Sequence, residues 1–241
     1  MHMDYIDLLH GHTPRNFWTM AKIDLAAMLV SRHASRGHAG KRCKILDVGA
    51  GVGNEILALQ EYGHVSVLDI DERALRLIPD TPGVKKFMGD ATNLPFEDAI
   101  YDIVVAFDVL EHIEDDRLAI REAKRVLIKG GAFLATAPAH PRLFGQHDKS
   151  LGHHRRYTKH ELQRKLAGFT TVKLSFWNAM LFPAVFTQRC LRKDQEPERA
   201  VARLSSMINT MMFHALRVET RFLERGGRIP LGLSLLIECI V

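Results

Sequence analysis

A glycine-rich turn carries the clearest chemistry in this chain. Ile45-Leu46-Asp47-Val48 reads as a strand, Gly49-Ala50-Gly51-Val52-Gly53 as a turn, and the residues from Asn54 as the start of a helix. Glycines turn tightly and let a ligand approach the backbone with no Cβ in the way, while a helix start presents free N–H groups. The segment is therefore a cradle of the nucleotide-binding kind. A dinucleotide fingerprint needs G-x-G-x-x-G, and Asn54 stands where its third glycine belongs. Asp47 sits beside the turn, where a carboxylate repels a pyrophosphate and attracts a cation. The residues point away from NAD and toward a positively charged ligand. Asp69 closes the next strand, at the place where a carboxylate accepts ribose hydroxyls, and Asp71 reads as a solvated carboxylate at a helix start.

A second concentration of reactive side chains lies between residues 140 and 160. Five of the thirteen histidines fall there, His140, His147, His153, His154 and His160, among Arg142, Asp148, Arg155, Arg156 and Tyr157. Two readings stand side by side. In one, Thr158 caps a helix that begins at Lys159, with Glu161 at the third position and the arginines solvated or paired. In the other, a histidine such as His147 or His154 removes a proton from a substrate nucleophile while Arg155 or Arg156 holds an anionic group. A metal set of His147, Asp148 and His154 has irregular spacing, so the sequence assigns no metal.

These residues need elements to position them. Apolar side chains at Phe17, Met20, Ala21, Leu25, Met28 and Leu29 predict a helix over about 14–31, followed by a polar linker. From Lys44 onward β-rich runs at 44–48, 64–69, 84–88, 102–107 and 132–136 alternate with helical patterns near 52–62, 71–78 and 114–128. Strands this apolar, alternating with helices, predict a parallel sheet covered on both faces, a doubly wound α/β architecture. Two more strands are expected at 170–176 and 234–241, and the long segment between them, rich in methionine, reads as a helical insertion.

Composition limits the class. With 46% hydrophobic and 25% charged residues, 9 prolines and 17 glycines in 241, the chain is neither disordered nor fibrous. Cys43, Cys190 and Cys239 are odd in number and widely spaced, which fits neither a disulfide framework nor a zinc ribbon. A net charge of +5 is too mild for a nucleic-acid stripe. With no signal-peptide pattern and no spanning apolar run, the expected location is cytoplasmic. The apolar stretch from Phe176 to Phe186 is too short to cross a bilayer yet long enough to touch one.

Together, D-x-G-x-G-x-G from Asp47, the acid closing the second strand, Gly89-Asp90-Ala91 ahead of Leu94-Pro95-Phe96, Asp108-Val109-Leu110-Glu111-His112, and Lys129-Gly130-Gly131 resemble the class I S-adenosylmethionine-dependent methyltransferases, of the type 11/12 kind. The resemblance spans about residues 44–137. It implies a Rossmann-like sheet of seven strands in the order 3-2-1-4-5-7-6 with strand 7 antiparallel, residues 1–40 as an N-terminal helical cover and linker, and 41–241 as the methyltransferase domain with a lid insertion at about 177–228. It places Gly49, Ala50 and Gly51 against the methionine portion of the cofactor with Asp47 at its ammonium group, Asp69 at the ribose, and the following Ile70 among the cofactor-binding residues. Asp90 and Ala91 fall at the adenine, and Phe107 and Asp108 at the methionine end. Trp18 and Lys22 lie on the covering helix, though Trp18 reads equally as core, and His112 falls near the transferred methyl. Asp148-x-x-x-Gly152-His153-x-Arg155-Arg156-Tyr157-Thr158 is similar to a stretch found in a subgroup of these enzymes.

The implied reaction is direct methyl displacement onto an acceptor aligned behind the sulfonium carbon. No N-P-P-Y or D-P-P-Y tetrapeptide follows the fourth strand, which disfavours amino methylation of nucleic-acid bases. A small-molecule acceptor, apolar or lipid-like, is the expectation, with peripheral membrane contact and a monomer or homodimer as its setting. An RNA methyltransferase and a cofactor-binding protein without turnover are the alternatives.

Overall fold

The computed structural model describes residues 16–34, 42–191 and 205–241, the last four of the middle stretch by backbone alone. Residues 31–34, expected to open the linker, continue the first helix, while the rest of the linker, residues 192–204 of the insertion and the side chain of Arg189 lie outside the described residues. Helix α1 (Phe17–Ala34) precedes β1 (Cys43–Val48), α2 (Ile56–Gln60), β2 (Gly63–Asp69), α3 (Glu72–Leu77), β3 (Val84–Met88) and β4 (Tyr101–Phe107). Then come α4 (Asp116–Val126), β5 (Leu127–Pro138), α5 (Gln146–Ser150), α6 (Lys159–Lys165), β6 (Thr171–Trp177), α7 (Phe182–Leu191), α8 (Ser206–Glu224) and β7 (Ser234–Ile240).

The seven strands form one sheet in the order β3-β2-β1-β4-β5-β7-β6. β7 runs antiparallel to both β5 and β6, and the other pairings are parallel, as the sequence predicts. Burial explains the order. Ile103, Val104 and Val105 of the central strand β4 are at most 1% exposed, which requires cover on both faces. Successive side chains alternate between the two cores: Leu46, Val104 and Phe133 pack in one layer, Ile45, Ile103 and Leu134 in the other. The outer strands β3 and β6 keep one face half-exposed, as edge strands do.

Local chemistry sets the element ends. α1 begins at Phe17 rather than 14 because the Asn16 Oδ1 accepts the Thr19 N–H at 2.8 Å. α2 starts only at Ile56, later than periodicity predicts, because Gly51 and Gly53 hold positive φ and the chain between them cannot be helical. The expected cap is present: the Thr158 Oγ1 accepts the Glu161 N–H at 3.1 Å and starts α6.

Ahead of α6 the histidine and arginine segment folds inward. Asp148 is fully buried and its Oδ1 accepts from Arg156 Nε at 2.8 Å and Nη2 at 2.7 Å, while its Oδ2 accepts the Gly145 N–H at 3.0 Å. Buried Asp116 gathers the Tyr157 hydroxyl at 2.7 Å, Lys165 Nζ at 2.5 Å and Arg155 Nη1 at 3.4 Å. The insertion splits its apolar residues. Leu216 and Leu223 of α8 are buried in the core layer that α1 shares, and the Asn209 Oδ1 accepts the Phe17 N–H at 2.7 Å. Met207, Met211 and Phe222 stay exposed. Among the described residues no helix is long and apolar enough to cross a membrane.

Removing one partner of a buried, hydrogen-bonded pair strands the other charge, at a cost of about 3–5 kcal/mol. Asp148→Ala should therefore lower stability by about that amount in urea unfolding, whereas Thr158→Ala, which removes only a cap, should cost about 1 kcal/mol.

Candidate active site

The carboxyl ends of β1, β2, β3 and β4 open on one edge of the sheet, the edge at which open α/β sheets take ligands. The turn after β1 is built from backbone. Gly49 N–H donates to Leu68 O at 2.7 Å, Ala50 N–H to the same oxygen at 3.2 Å, and Gly51 N–H to the Asp69 Oδ2 at 2.8 Å. Gly51 has φ +53°, and a Cβ placed on it would meet no atom within 4 Å. A Cβ on Gly49 would stand 2.7 Å from a Val109 methyl, so that glycine serves packing between the first and fourth strand ends.

Acids surround the turn. Asp47 is 4% exposed and its Oδ2 has no hydrogen-bond partner. Burial first, then the nearby Glu55 and Asp69 carboxylates, push its carboxyl well above the ordinary range. Asp69 is fully buried, with its Oδ1 accepting the Asp71 N–H at 2.8 Å, and burial raises its carboxyl too. Asp71 caps α3 and pairs with Arg73, the solvated helix-start role expected of it. Ile70, beside Asp69, is 67% exposed, and Asp90 is exposed with its Oδ1 accepting the Thr92 N–H at 2.8 Å. Ala91 follows it half-buried.

After β4 the chain turns through Asp108, at φ +54°. Its N–H donates to the Thr136 Oγ1 at 3.0 Å, and the Thr136 hydroxyl donates to the Asp108 Oδ1 at 2.8 Å. Lys22 of α1 reaches its Oδ2 at 3.3 Å, so the covering helix is tied to the fourth strand end beside Phe107. Burial alone would raise the Asp108 carboxyl, but Lys22 and Thr136 outweigh it and hold it below the ordinary value. Trp18, half-buried on the same helix, packs against buried Trp177 with ring centroids 5.3 Å apart, the core contact that its apolar ring suits.

The histidine of this segment that meets His112 is His153. His112 faces His153, edge to face, with centroids 4.7 Å apart, and buried Glu111 stands beside them with an unpartnered Oε2. Burial lowers the His112 imidazole to about 3, so it is neutral, and pushes the Glu111 carboxyl well up. His154 is exposed and touches this loop through its backbone, its N–H donating to Glu111 O at 2.8 Å. Arg155 turns to Asp116 and to Glu114 O, lining a surface concavity of about 680 Å³ that includes none of the glycine-turn residues. His147 is half-buried on α5, and its neighbour Asp148 is engaged by Arg156, so His147, Asp148 and His154 do not form a ligand set. Sequence reasoning named Glu111 and His153 within their motifs without giving them a role, and missed Thr136. The one available signal was the tight Gly152, at φ +75°, just before His153.

Comparison with known proteins bears on this edge. Residues 46–135 match a family model described as a methyltransferase domain. Among curated relatives, a demethylmenaquinone methyltransferase of Staphylococcus aureus is 33% identical over 43% of this chain and 46% of its own. A norajmaline N-methyltransferase of Rauvolfia serpentina is 29% identical over 41% of this chain and 37% of its own. The chain thus spans less than half the length of these relatives. A phosphoethanolamine N-methyltransferase of Haemonchus contortus, solved in complex with S-adenosyl-L-methionine, shares the fold with a TM-score of 0.61 and 17% identity, over 98% of this chain and 59% of that one.

Lys22 is the cation that holds the Asp108 carboxyl low. A depressed carboxyl contributes stability that is present above its ordinary value of 3.8 and lost as pH falls through the folded value. In Lys22→Met the Asp108 carboxyl should titrate higher by NMR than in the parent chain, and the part of the acid-side stability loss that this carboxyl contributes should shrink, from a lower stability at neutral pH.

Proposed function

We propose that this chain, which carries a class I S-adenosylmethionine-dependent methyltransferase domain over residues 46–135, methylates a small-molecule acceptor. The cofactor is S-adenosylmethionine, and two features of the glycine turn fit it. Gly51 leaves the space in which a Cβ would stand open to a ligand, and the buried Asp47 Oδ2 is an acceptor awaiting a donor, which suits an ammonium group. When bound, the cofactor supplies a methyl group already activated on a sulfonium.

The chain's residues do the rest. The Gly49–Gly51 backbone and Asp47 take the methionine end, with Phe107 and the Lys22-held Asp108 closing it. Asp69 has one backbone donor on each oxygen, and its remaining lone pairs serve the ribose hydroxyls. Ile70 and Ala91 flank the adenine with Asp90 at its edge, and exposed Met88 adds a third apolar neighbour. Trp18 and α1 exclude water from above. On the acceptor side, neutral His112 faces the nucleophile and His153 positions it, with His147, His154 and Arg155 forming the outer part of the same segment. The described parts of the expected insertion, 177–191 and 205–228, cover the acceptor as a lid, and the exposed Met180, Phe186, Met207 and Met211 favour an apolar acceptor.

The observation that carries the acceptor class is the engagement of the basic residues. Arg155, Arg156 and Lys165, basic residues of the kind an RNA acceptor would need, are paired internally with Asp116 and Asp148. A phosphate backbone needs free cations along a surface. Incubation with S-adenosylmethionine and a library of small hydroxyl and amino compounds should release S-adenosylhomocysteine with a small acceptor, and total RNA should release none. Release with RNA alone would overturn the acceptor class.

Asp47 also predicts a pH dependence. A cation beside a carboxyl that burial has raised favours its ionised form, so cofactor binding expels a proton. Affinity should fall as pH drops below the raised Asp47 value, by up to about tenfold per pH unit. Calorimetry in buffers of different ionisation enthalpy should show the proton, and Asp47→Asn should lose both effects.

A further inference from the structure

Two loops distant in sequence bring Glu111, His112 and His153 together, so that one ligand atom from each lies within 4.8 Å of the others. Glu111 is 1% exposed and its Oε2 has no partner, an acceptor that a cation would satisfy. Each imidazole is held from behind. His153 Nδ1 lies 3.3 Å from the Asp148 Oδ1, on a carboxylate that Arg156 and Gly145 lock in place. The Gly152 backbone lies beside the His112 imidazole. A carboxylate or backbone partner on one nitrogen is the outer arrangement that orients an imidazole and offers its other nitrogen to a metal.

We propose that Glu111, His112 and His153 bind a divalent first-row metal ion through one carboxylate oxygen and two imidazole nitrogens. Two nitrogens and one oxygen suit Zn2+ or its first-row neighbours, whereas Ca2+ and Mg2+ are held by oxygen. Donors around such an ion stand roughly 3.4 Å apart at bond lengths of about 2.0–2.2 Å, so small side-chain rotations close the set around it. Three protein ligands leave coordination open. The open position takes an oxygen of the acceptor, which narrows the acceptor to compounds carrying a hydroxyl, and that clause rests on the methyltransferase reading.

The metal-binding claim is tested without cofactor or acceptor. Chelator-treated protein is titrated with Co2+, followed by d–d absorption, and with Zn2+, followed by calorimetry. One equivalent of each should bind. His153→Gln and Glu111→Gln should each weaken binding by more than the roughly 10- to 100-fold that loss of an outer partner costs, and His160→Gln, an exposed histidine nearby, should leave affinity unchanged. Circular dichroism checks each variant, and His112→Gln replaces any that fails to fold. Absence of stoichiometric binding, or equal binding in parent and ligand variants, overturns the site and leaves the methyltransferase reading standing. S-adenosylhomocysteine release that no hydroxyl compound supports, with metal bound, overturns the acceptor clause alone.

Discussion

Both oxygens of one fully buried carboxylate hold the ligand edge of this molecule together. Asp69 accepts the Gly51 N–H on one oxygen and the Asp71 N–H on the other, each at 2.8 Å. That single side chain fixes the turn after β1 against the turn after β2. A carboxylate in such surroundings is costly to bury unless bonded, and the bonds it finds are backbone donors that the glycine turn and the start of α3 would otherwise leave unsatisfied. The geometry of the cradle, the open side of Gly51 and the position of Asp47 all follow from it.

The same logic organises the opposite side of the edge. Asp148 and Asp116 are buried acids, and the chain between them is bent so that Arg156, Tyr157, Arg155 and Lys165 reach them. A segment that looks, in sequence, like a display of basic and imidazole groups becomes a scaffold. What it presents to the site is His153, set against His112 and Glu111. Lys22 then ties helix α1 to Asp108 at the end of β4, so the N-terminal helix and the loop that carries Glu111 and His112 are joined by one ion pair.

Much of this was legible in the residues because the interactions are local. The strand, glycine turn and helix around Asp47, the acid at the end of β2, and the Thr158 cap each depend on neighbours a few residues away. The sheet order followed from the resemblance of several motifs in sequence order. What could not be read are contacts that only tertiary structure creates. The Asp108 to Lys22 pair joins residues 86 apart. The facing of His112 by His153 rather than His154 depends on the Gly152 turn and on the pairing of Asp148 with Arg156, a register that spacing alone does not reveal. Periodicity likewise overran the start of α2, because the positive φ of Gly51 and Gly53 ends the turn later than the apolar pattern suggests.

The central claim is that the cofactor lies against the open side of Gly51. A Cβ there touches nothing in the protein itself, so Gly51→Ala should fold with a left-handed backbone cost of about 1–2 kcal/mol while obstructing a ligand seated on the turn. Titration with S-adenosylhomocysteine by calorimetry, on samples matched by circular dichroism, should show binding to the parent chain and its loss in Gly51→Ala. Equal affinity in the two proteins would contradict the account.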